Sequence, residues 1–389
     1  MSTVDAVSFP LPVTPDGQPN PMLLELTRDT PVLKVRGPGG GDAWLISSQS
    51  VVHEVLADPA RFTSMIDPDE TSSRAVMVVT DPPQHTRLRR LAAQAFTARR
   101  VQALVPGIEQ RVATLLDAME DAGPPLDLIP ALSVPLPVGV ICQILGVPEE
   151  DEAQLRKWSD AFIALTSYED DAIGVAMEEF SDYTRRLTAE RRKNLRDDVL
   201  SNLIRARDGR DAMSDDELTS LMVLLLVAGH ETTVKSITRG VMILSLSGQW
   251  EHLVSGAAPV EAVVEEILRH QTPIDTQLFR WARADTELAG VPIKAGEALY
   301  ISLNLANFDP ETRKCPEAFE PLRADAGHLS FGYGAHFCLG AALARAELIA
   351  VFGALAKRFP SLQLAVPIGE LTWTVGSMLN CPQTLPVTW

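Results

Sequence analysis

Cys338 stands in the run Phe331-Gly332-Tyr333-Gly334-Ala335-His336-Phe337-Cys338-Leu339-Gly340. Its glycines allow tight turns and let the backbone come close to a flat ligand. A helix is expected from Leu339, so Cys338 lies just ahead of free backbone N–H groups and the positive end of a helix dipole. Both favour a thiolate. A thiolate is a strong, soft ligand for haem iron. A lone cysteine after a glycine-rich turn is more often a small buried hydrophobe. Three glycines, an aromatic residue and a following helix at these spacings favour the ligand.

Three further groupings could do chemistry. Ala228-Gly229-His230-Glu231-Thr232-Thr233 falls inside an apolar helical stretch. A threonine there can bond back to the carbonyl of Ala228 and bend the helix, which is common. The acid beside it is less easily explained, because an unpaired buried carboxylate is costly. A zinc reading as H-E-x-x-H fails, since position 234 is Val. Glu266-Ile267-Leu268-Arg269 places opposite charges on one helix face, which by itself is usually surface decoration. In Asp81-Pro82-Pro83-Gln84-His85-Thr86-Arg87-Leu88-Arg89, His85 and Arg89 share a face and could bind carboxylates; an ordinary basic helix face would look the same.

The Cys338 run resembles the haem-binding loop of the cytochrome P-450 monooxygenases, and it matches F-G-x-G-x-H-x-C-x-G in full. The resemblance extends over nearly the whole chain, in family order, and is closest to the soluble bacterial branch. It implies haem b with Cys338 as the iron ligand and Phe331, Gly332 and Gly340 against the cofactor. It implies propionate contacts for His85, Arg89, Arg280 and His328, with His336 structural. Glu231 and Thr232 become an alcohol–acid pair that supplies protons to dioxygen. Glu266, Arg269 and Arg323 become a buried network that shapes the fold. Val78, Ala228, Ile274, Thr276 and Met378 are expected to line a pocket for a small organic substrate. Electrons would come from NAD(P)H through a ferredoxin reductase and a ferredoxin.

The chain departs from the family at Phe308, where bacterial relatives usually carry Arg, which puts a local salt bridge in doubt. It is also polar across Pro273–Phe279, where relatives are often apolar. That suits a substrate with hydrogen-bonding groups, or else Asp275 merely caps a turn.

The elements that must position these residues are mostly helical. Val32–Val35 and Ala43–Ile46 read as strands around the turn Gly37–Gly41. Asp151–Thr166 and Asp171–Arg191 each carry one apolar stripe at helical spacing. Ser214-Asp215-Asp216-Glu217 is a capping box, and no proline follows until Pro259, which predicts a long, central, buried helix. Short strands follow Pro273, and a last helix over Leu339–Phe359 stops at Pro360. The fold expected is mainly α with a minor β part, a single cytochrome P-450-like domain over residues 31–389. The haem would lie between the central helix and the Cys-loop helix. Residues 1–30, rich in Pro and polar groups, read as a tethered arm.

Composition agrees. Of 389 residues, 34 are Lys or Arg and 51 are Asp or Glu, a net charge of −17 that argues against a nucleic-acid binder. The longest strictly apolar run, Leu221–Ala228, is far too short to span a membrane. Four scattered cysteines form neither a C-x-x-C site nor a disulfide framework. No signal peptide is apparent. The expectation is a soluble, cytoplasmic monomer in bacterial specialised metabolism, such as antibiotic biosynthesis. Arg87, Arg90, Arg99, Arg100, Arg313, Lys314 and Arg345 gather around the expected Cys338 side, a cationic patch that suits an acidic electron carrier. The same haem could instead close rings, epoxidise or couple carbons. A haem-thiolate sensor is the rival, disfavoured by the Glu231–Thr232 pair; a non-haem helical binding protein would leave the Cys338 loop unexplained. No other cysteine sits in a comparable loop, so Cys338→Ser is expected to abolish the thiolate-type absorption of the reduced, CO-treated protein. A retained thiolate spectrum would place the ligand elsewhere.

Overall fold

A computed structural model describes residues 7–37, 40–65, 77–94, 96–163, 170–196, 198–207, 213–274, 278–325, 327–374 and 379–389. Eight helices frame the site: α1 (Gln49–Ala57), α2 (Gln84–Ala93), α3 (Ala98–Ala122), α4 (Glu152–Ile163), α5 (Asp170–Lys193), α6 (Asp215–Ser247), α7 (Val260–His270) and α8 (Ala341–Arg358). The capping box predicted at Ser214 starts α6. Ser214 Oγ accepts from Glu217 N at 3.0 Å, and Glu217 Oε2 accepts from Ser214 N at 2.9 Å. Three acids in the first turn sit at the positive end of the dipole. The helix then runs for 33 residues, about 50 Å at 1.5 Å per residue. It stops at Gly248, in the left-handed conformation (φ 71°) that suits glycine at a helix end, well before Pro259. Among the described residues α6 is the one helix long and apolar enough to cross a membrane. However, 78% of its most apolar 18 residues are buried inside the protein, so its apolarity serves the core.

α6 packs against α7 and α8, and α8 against α3, in one large apolar core that includes Leu116, Val241, Ile267 and Phe352. The β part is smaller. Strands β1 (Val7–Ser8), β2 (Val32–Arg36), β3 (Asp42–Ile46), β4 (Phe62–Thr63), β5 (Leu278–Ala282) and β6 (Ala298–Ile301) form a sheet in the order β1-β2-β3-β6-β5-β4. The predicted hairpin is present, with Val32 opposite Ile46 and Arg36 opposite Asp42. β5 runs antiparallel to β6 and carries Arg280 toward the helices.

The stretch read as an arm is built into this frame from residue 7 onward. β1 extends the sheet beside β2, and Phe9 and Leu23 are buried. Its polar residues are satisfied locally, as when Gln18 N donates to Thr14 Oγ1 at 2.9 Å. Arg239, fully buried in α6, reaches it by donating to Gly17 O. The same guanidinium donates to Gln271 Oε1 at 2.8 Å and approaches Asn380 O at 3.5 Å. A Pro-rich composition hides such a role, because the pairing is with residues far away in sequence.

The Glu266 network is assembled as expected. Arg269 Nε and Nη2 each donate to a Glu266 oxygen at 2.8 Å, with Arg269 fully buried. Arg323 Nε reaches the same carboxylate at 3.1 and 3.2 Å, and Glu320 N donates to it at 2.8 Å. The spare guanidinium N–H groups go to the carbonyls of Asn307, Pro316 and Ala318. Removing one member of such a network leaves a buried charge uncompensated, which costs about 3–5 kcal/mol. Glu266→Ala is therefore expected to lose about that much stability in urea melts, or to fail to accumulate folded. A loss below about 1 kcal/mol, the range of exposed pairs, would contradict the account.

Candidate active site

The run from Phe331 to Gly340 forms a folded-back loop that ends where α8 begins. Gly332 N donates to Leu329 O at 2.7 Å, Phe337 N to Gly334 O at 3.1 Å, and Cys338 N to Phe331 O at 2.8 Å. Gly334 has φ 69°, and a Cβ there would stand 2.3 Å from Leu56 O, so only glycine lets the loop lie on α1. Cys338 is accessible to solvent although protein surrounds most of it, so it lines a concavity. Burial raises its thiol pKa; the Gly340 N–H, Arg89 and Arg345 oppose that by favouring the thiolate. Cys142 is buried among apolar residues, its thiol pushed up to about 12, and suits the role of a small core hydrophobe. Cys381 is buried beside Lys235 and Arg239, away from this loop.

Beside the loop the chain gathers positive charge. His85 is buried on α2, and its ring lies 4.0 Å from that of His336, centroid to centroid. Arg89, one turn further along α2, donates to Phe337 O. Arg280 is buried on β5. Burial depresses the pKa of both histidines, that of His336 to about 3, and each is depressed further by the charges around it: His336 by His85 and Arg280, His85 by Arg89. Burial brings Arg280 down to about 10. Asp81 is the acid nearest this group, and it is already engaged by Arg283 at 2.6 Å, by Thr63 and by Ser64 N. His85 Nε2 is buried without a hydrogen-bond partner. An orphaned donor and two arginines around a thiol in a glycine-rich loop call for an anion with more than one carboxylate. Haem b, with two propionates and an iron, fits that donor set.

The structure separates the two histidines of this region in the opposite way to the sequence reading. His328 was expected at a propionate. Its Nε2 lies 3.1 Å from Glu265 Oε2, and its Nδ1 accepts from Ser330 N at 3.1 Å, so both ring nitrogens are engaged. Glu265 is also held by Arg345 at 2.6 and 2.8 Å, and despite burial these partners draw its carboxyl down to about 2. His328 therefore ties the segment that leads into Phe331 to α7, where Glu265 also holds Arg345 of α8. His336, read as structural, stands with His85, Arg89 and Arg280 instead. Its spacing two residues before Cys338 was the available signal, but the fold-back at Gly334 that turns it toward α2 is tertiary.

The basic patch is also smaller than expected. Arg87 pairs with Glu217, Arg345 with Glu265, and Arg313 is buried against Gln49. Arg90, Arg99 and Lys314 remain on the surface.

α6 is buried along most of its length but opens at Ala228, Gly229 and Thr232. Thr232 Oγ1 donates to Ala228 O at 3.0 Å, the local back-bond that its position allows. Glu231, about 100° around the helix, is buried and points elsewhere. Oε1 lies 3.1 Å from His230 Nε2 and Oε2 lies 3.5 Å from Lys235 Nζ. Burial works against its charge, but these two partners win and hold the carboxyl at about 2. The expected alcohol and acid are neighbours whose side chains are not bonded to each other. Of the expected pocket residues, Val78 is 46% exposed, Ala228 is exposed, and Ile274 is half-buried against the core. Thr276 and Met378 lie outside the described residues.

The sequence model of the family described as Cytochrome P450 matches residues 259–365. The chain is 39% identical to the Nocardicin C N-oxygenase of Nocardia uniformis subsp. tsuyamanensis over the full length of both. It is 38% identical to the cytochrome P450 monooxygenase PikC of Streptomyces venezuelae, over 95% of this chain and 91% of that one. Among solved structures, the LnmA cytochrome P450 hydroxylase from the leinamycin pathway of Streptomyces atroolivaceus superposes with a TM-score of 0.91. It is 36% identical, with 99% of this chain and 100% of that one covered.

Substituting the two histidines separates their roles. His336→Phe removes a charge-assisted donor worth about 1.5–3 kcal/mol, so haem release is expected to quicken about tenfold or more. His328→Phe is expected to leave haem release near the parent rate while lowering the melting temperature. Equal haem retention in His336→Phe would remove His336 from the cofactor site.

Proposed function

This chain belongs to the cytochrome P450 family, a haem-thiolate monooxygenase, and from that premise we propose which residues carry its reaction and on what kind of molecule. The observation that carries the proposal is the pairing of Cys338, in its glycine-rich loop, with the cluster of His85, Arg89, Arg280 and His336 beside it. The overall change is R–H + O2 + 2 electrons + 2 protons to R–OH + H2O. The haem, when bound, supplies the reductive cleavage of dioxygen and the insertion of one oxygen atom into a C–H bond.

The chain's own residues do the rest. Cys338 holds the iron, and its thiolate is favoured by the Gly340 N–H and by Arg89 and Arg345. His85, Arg89, Arg280 and His336 hold the propionates. Phe331, Gly332 and Gly340 pack against the macrocycle. Arg345 stacks on Phe331 with its guanidinium 4.4 Å from the ring centroid and fixes that aromatic in place. Thr232 holds a hydroxyl at the wall of the concavity, where it passes protons toward dioxygen, and Glu231 is the acid that resupplies them. Val78, Ala228 and Ile274 orient the substrate, with Thr276 and Met378 assigned to the same pocket.

The substrate is a small organic molecule of bacterial specialised metabolism. Relatives at this level of identity include a Nocardicin C N-oxygenase and a hydroxylase of the leinamycin biosynthetic pathway. The polar residues of Pro273–Phe279 favour a substrate with hydrogen-bonding groups. Electrons come from NAD(P)H through a ferredoxin reductase and an acidic ferredoxin in the cytoplasm. In support, Arg90 is exposed on α2 beside Arg89, which touches the Cys338 loop.

Thr232→Ala is expected to bind substrate as the parent does but to divert reducing equivalents to peroxide. Removing one positioned proton donor costs about 100-fold or more in the step it serves. The check is the ratio of product formed to NAD(P)H consumed, with peroxide measured alongside. An unchanged ratio would remove Thr232 from the reaction.

A further inference from the structure

Lys235 lies in the middle of α6 with only 5% of its surface exposed, a costly place for an ammonium group. Its partner is Glu231, one turn earlier, with Nζ 3.5 Å from Oε2. The second carboxylate oxygen is engaged by His230, whose Nδ1 is 2.6 Å from Leu226 O and so acts as a donor. Two other titratable groups face this cluster. Asp160 approaches from α4, its carboxyl pKa raised by burial and by the charge of Glu231. Cys381 approaches from the C-terminal segment, its thiol pKa raised by burial and drawn back by Lys235 and Arg239.

Stability alone is a weak reason for such an arrangement. A buried ion pair can often be replaced by apolar side chains of similar volume without loss. The pair stands one residue from Thr232, at the open strip of α6, and Thr232 Oγ1 is itself committed to Ala228 O. Neither the alcohol nor the acid is directed at the other. We propose that Lys235 is a positioning residue that throttles proton supply: with His230 it clamps the Glu231 carboxylate away from Thr232, and the relay runs only when Glu231 leaves Lys235. This rests on the reading of Glu231 and Thr232 as one relay.

The test uses the full-length, haem-loaded protein and its Lys235→Met and Lys235→Arg variants. Isotope-edited infrared spectra across a pH series report the protonated carboxyl of Glu231, assigned by its absence in Glu231→Gln. Removing a cation this close moves a carboxyl's titration upward by about one pH unit or more. The Glu231 band is therefore expected to titrate at higher pH in Lys235→Met. The pH profile of product formation should move up by the same amount. At neutral pH the proton-limited step should quicken about tenfold for each pH unit that the profile moves. Lys235→Arg should restore the parent profile. Lys235→Gln serves under the same criteria if the Met variant does not fold.

The two readings fail differently. If Glu231→Gln forms product with the parent's pH profile and coupling, the relay reading falls. If Glu231→Gln is impaired but neither the band nor the profile moves in the Lys235 variants, the clamp alone is overturned.

Discussion

The carboxylate of Glu266 is the point from which the site is held. It binds two guanidiniums and a backbone N–H with no solvent to share the work. Arg269, fixed by it, presents its carbonyl to Asn307 Nδ2 at 3.3 Å. Asn307 in turn donates to Ser330 Oγ at 2.9 Å and accepts from Leu329 N at 2.8 Å, and Ser330 Oγ donates to Leu268 O at 2.6 Å. Leu329 and Ser330 are the residues that enter the thiolate loop. One ion pair on α7 thus sets the height at which Phe331 begins its turn, and through it the place of Cys338. In a low-dielectric interior each of these bonds is costly to leave unmade, so the chain of contacts has one arrangement.

The second constraint is electrostatic. A protein with a net charge of −17 gathers Arg89 and Arg280 with His85 and His336 in one place, where burial makes positive charge costly and depresses the pKa of both histidines. An anion bound there would relieve that cost. Binding the cofactor would therefore add to the stability of the fold.

Much of this was legible in the residues. The capping box at Ser214, the hairpin around Gly37–Gly41 and the helix after Cys338 are local signals, and each appears where its chemistry places it. The Glu266–Arg269 pair was legible because both charges lie on one turn. What was not legible depends on residues distant in sequence. His336 reaches His85 across 251 positions because Gly334 turns the loop onto α1. His328 is claimed by Glu265, 63 positions earlier, and Arg87 by Glu217, 130 positions later. The direction in which Glu231 points follows from Lys235 and His230, which a motif centred on Thr232 does not include. The end of α6 falls at Gly248, where glycine takes the left-handed conformation, eleven residues before the next proline, Pro259.

Arg239 carries a consequence for how the molecule is made. Its guanidinium holds carbonyl oxygens of Gly17 and Asn380, so two segments 363 positions apart meet on one side chain of the central helix. During synthesis Gly17 can meet its partner once Arg239 has emerged, whereas Asn380 reaches the same guanidinium only when the chain is nearly complete. One side chain of the central helix therefore ties together two segments that the ribosome releases far apart in time.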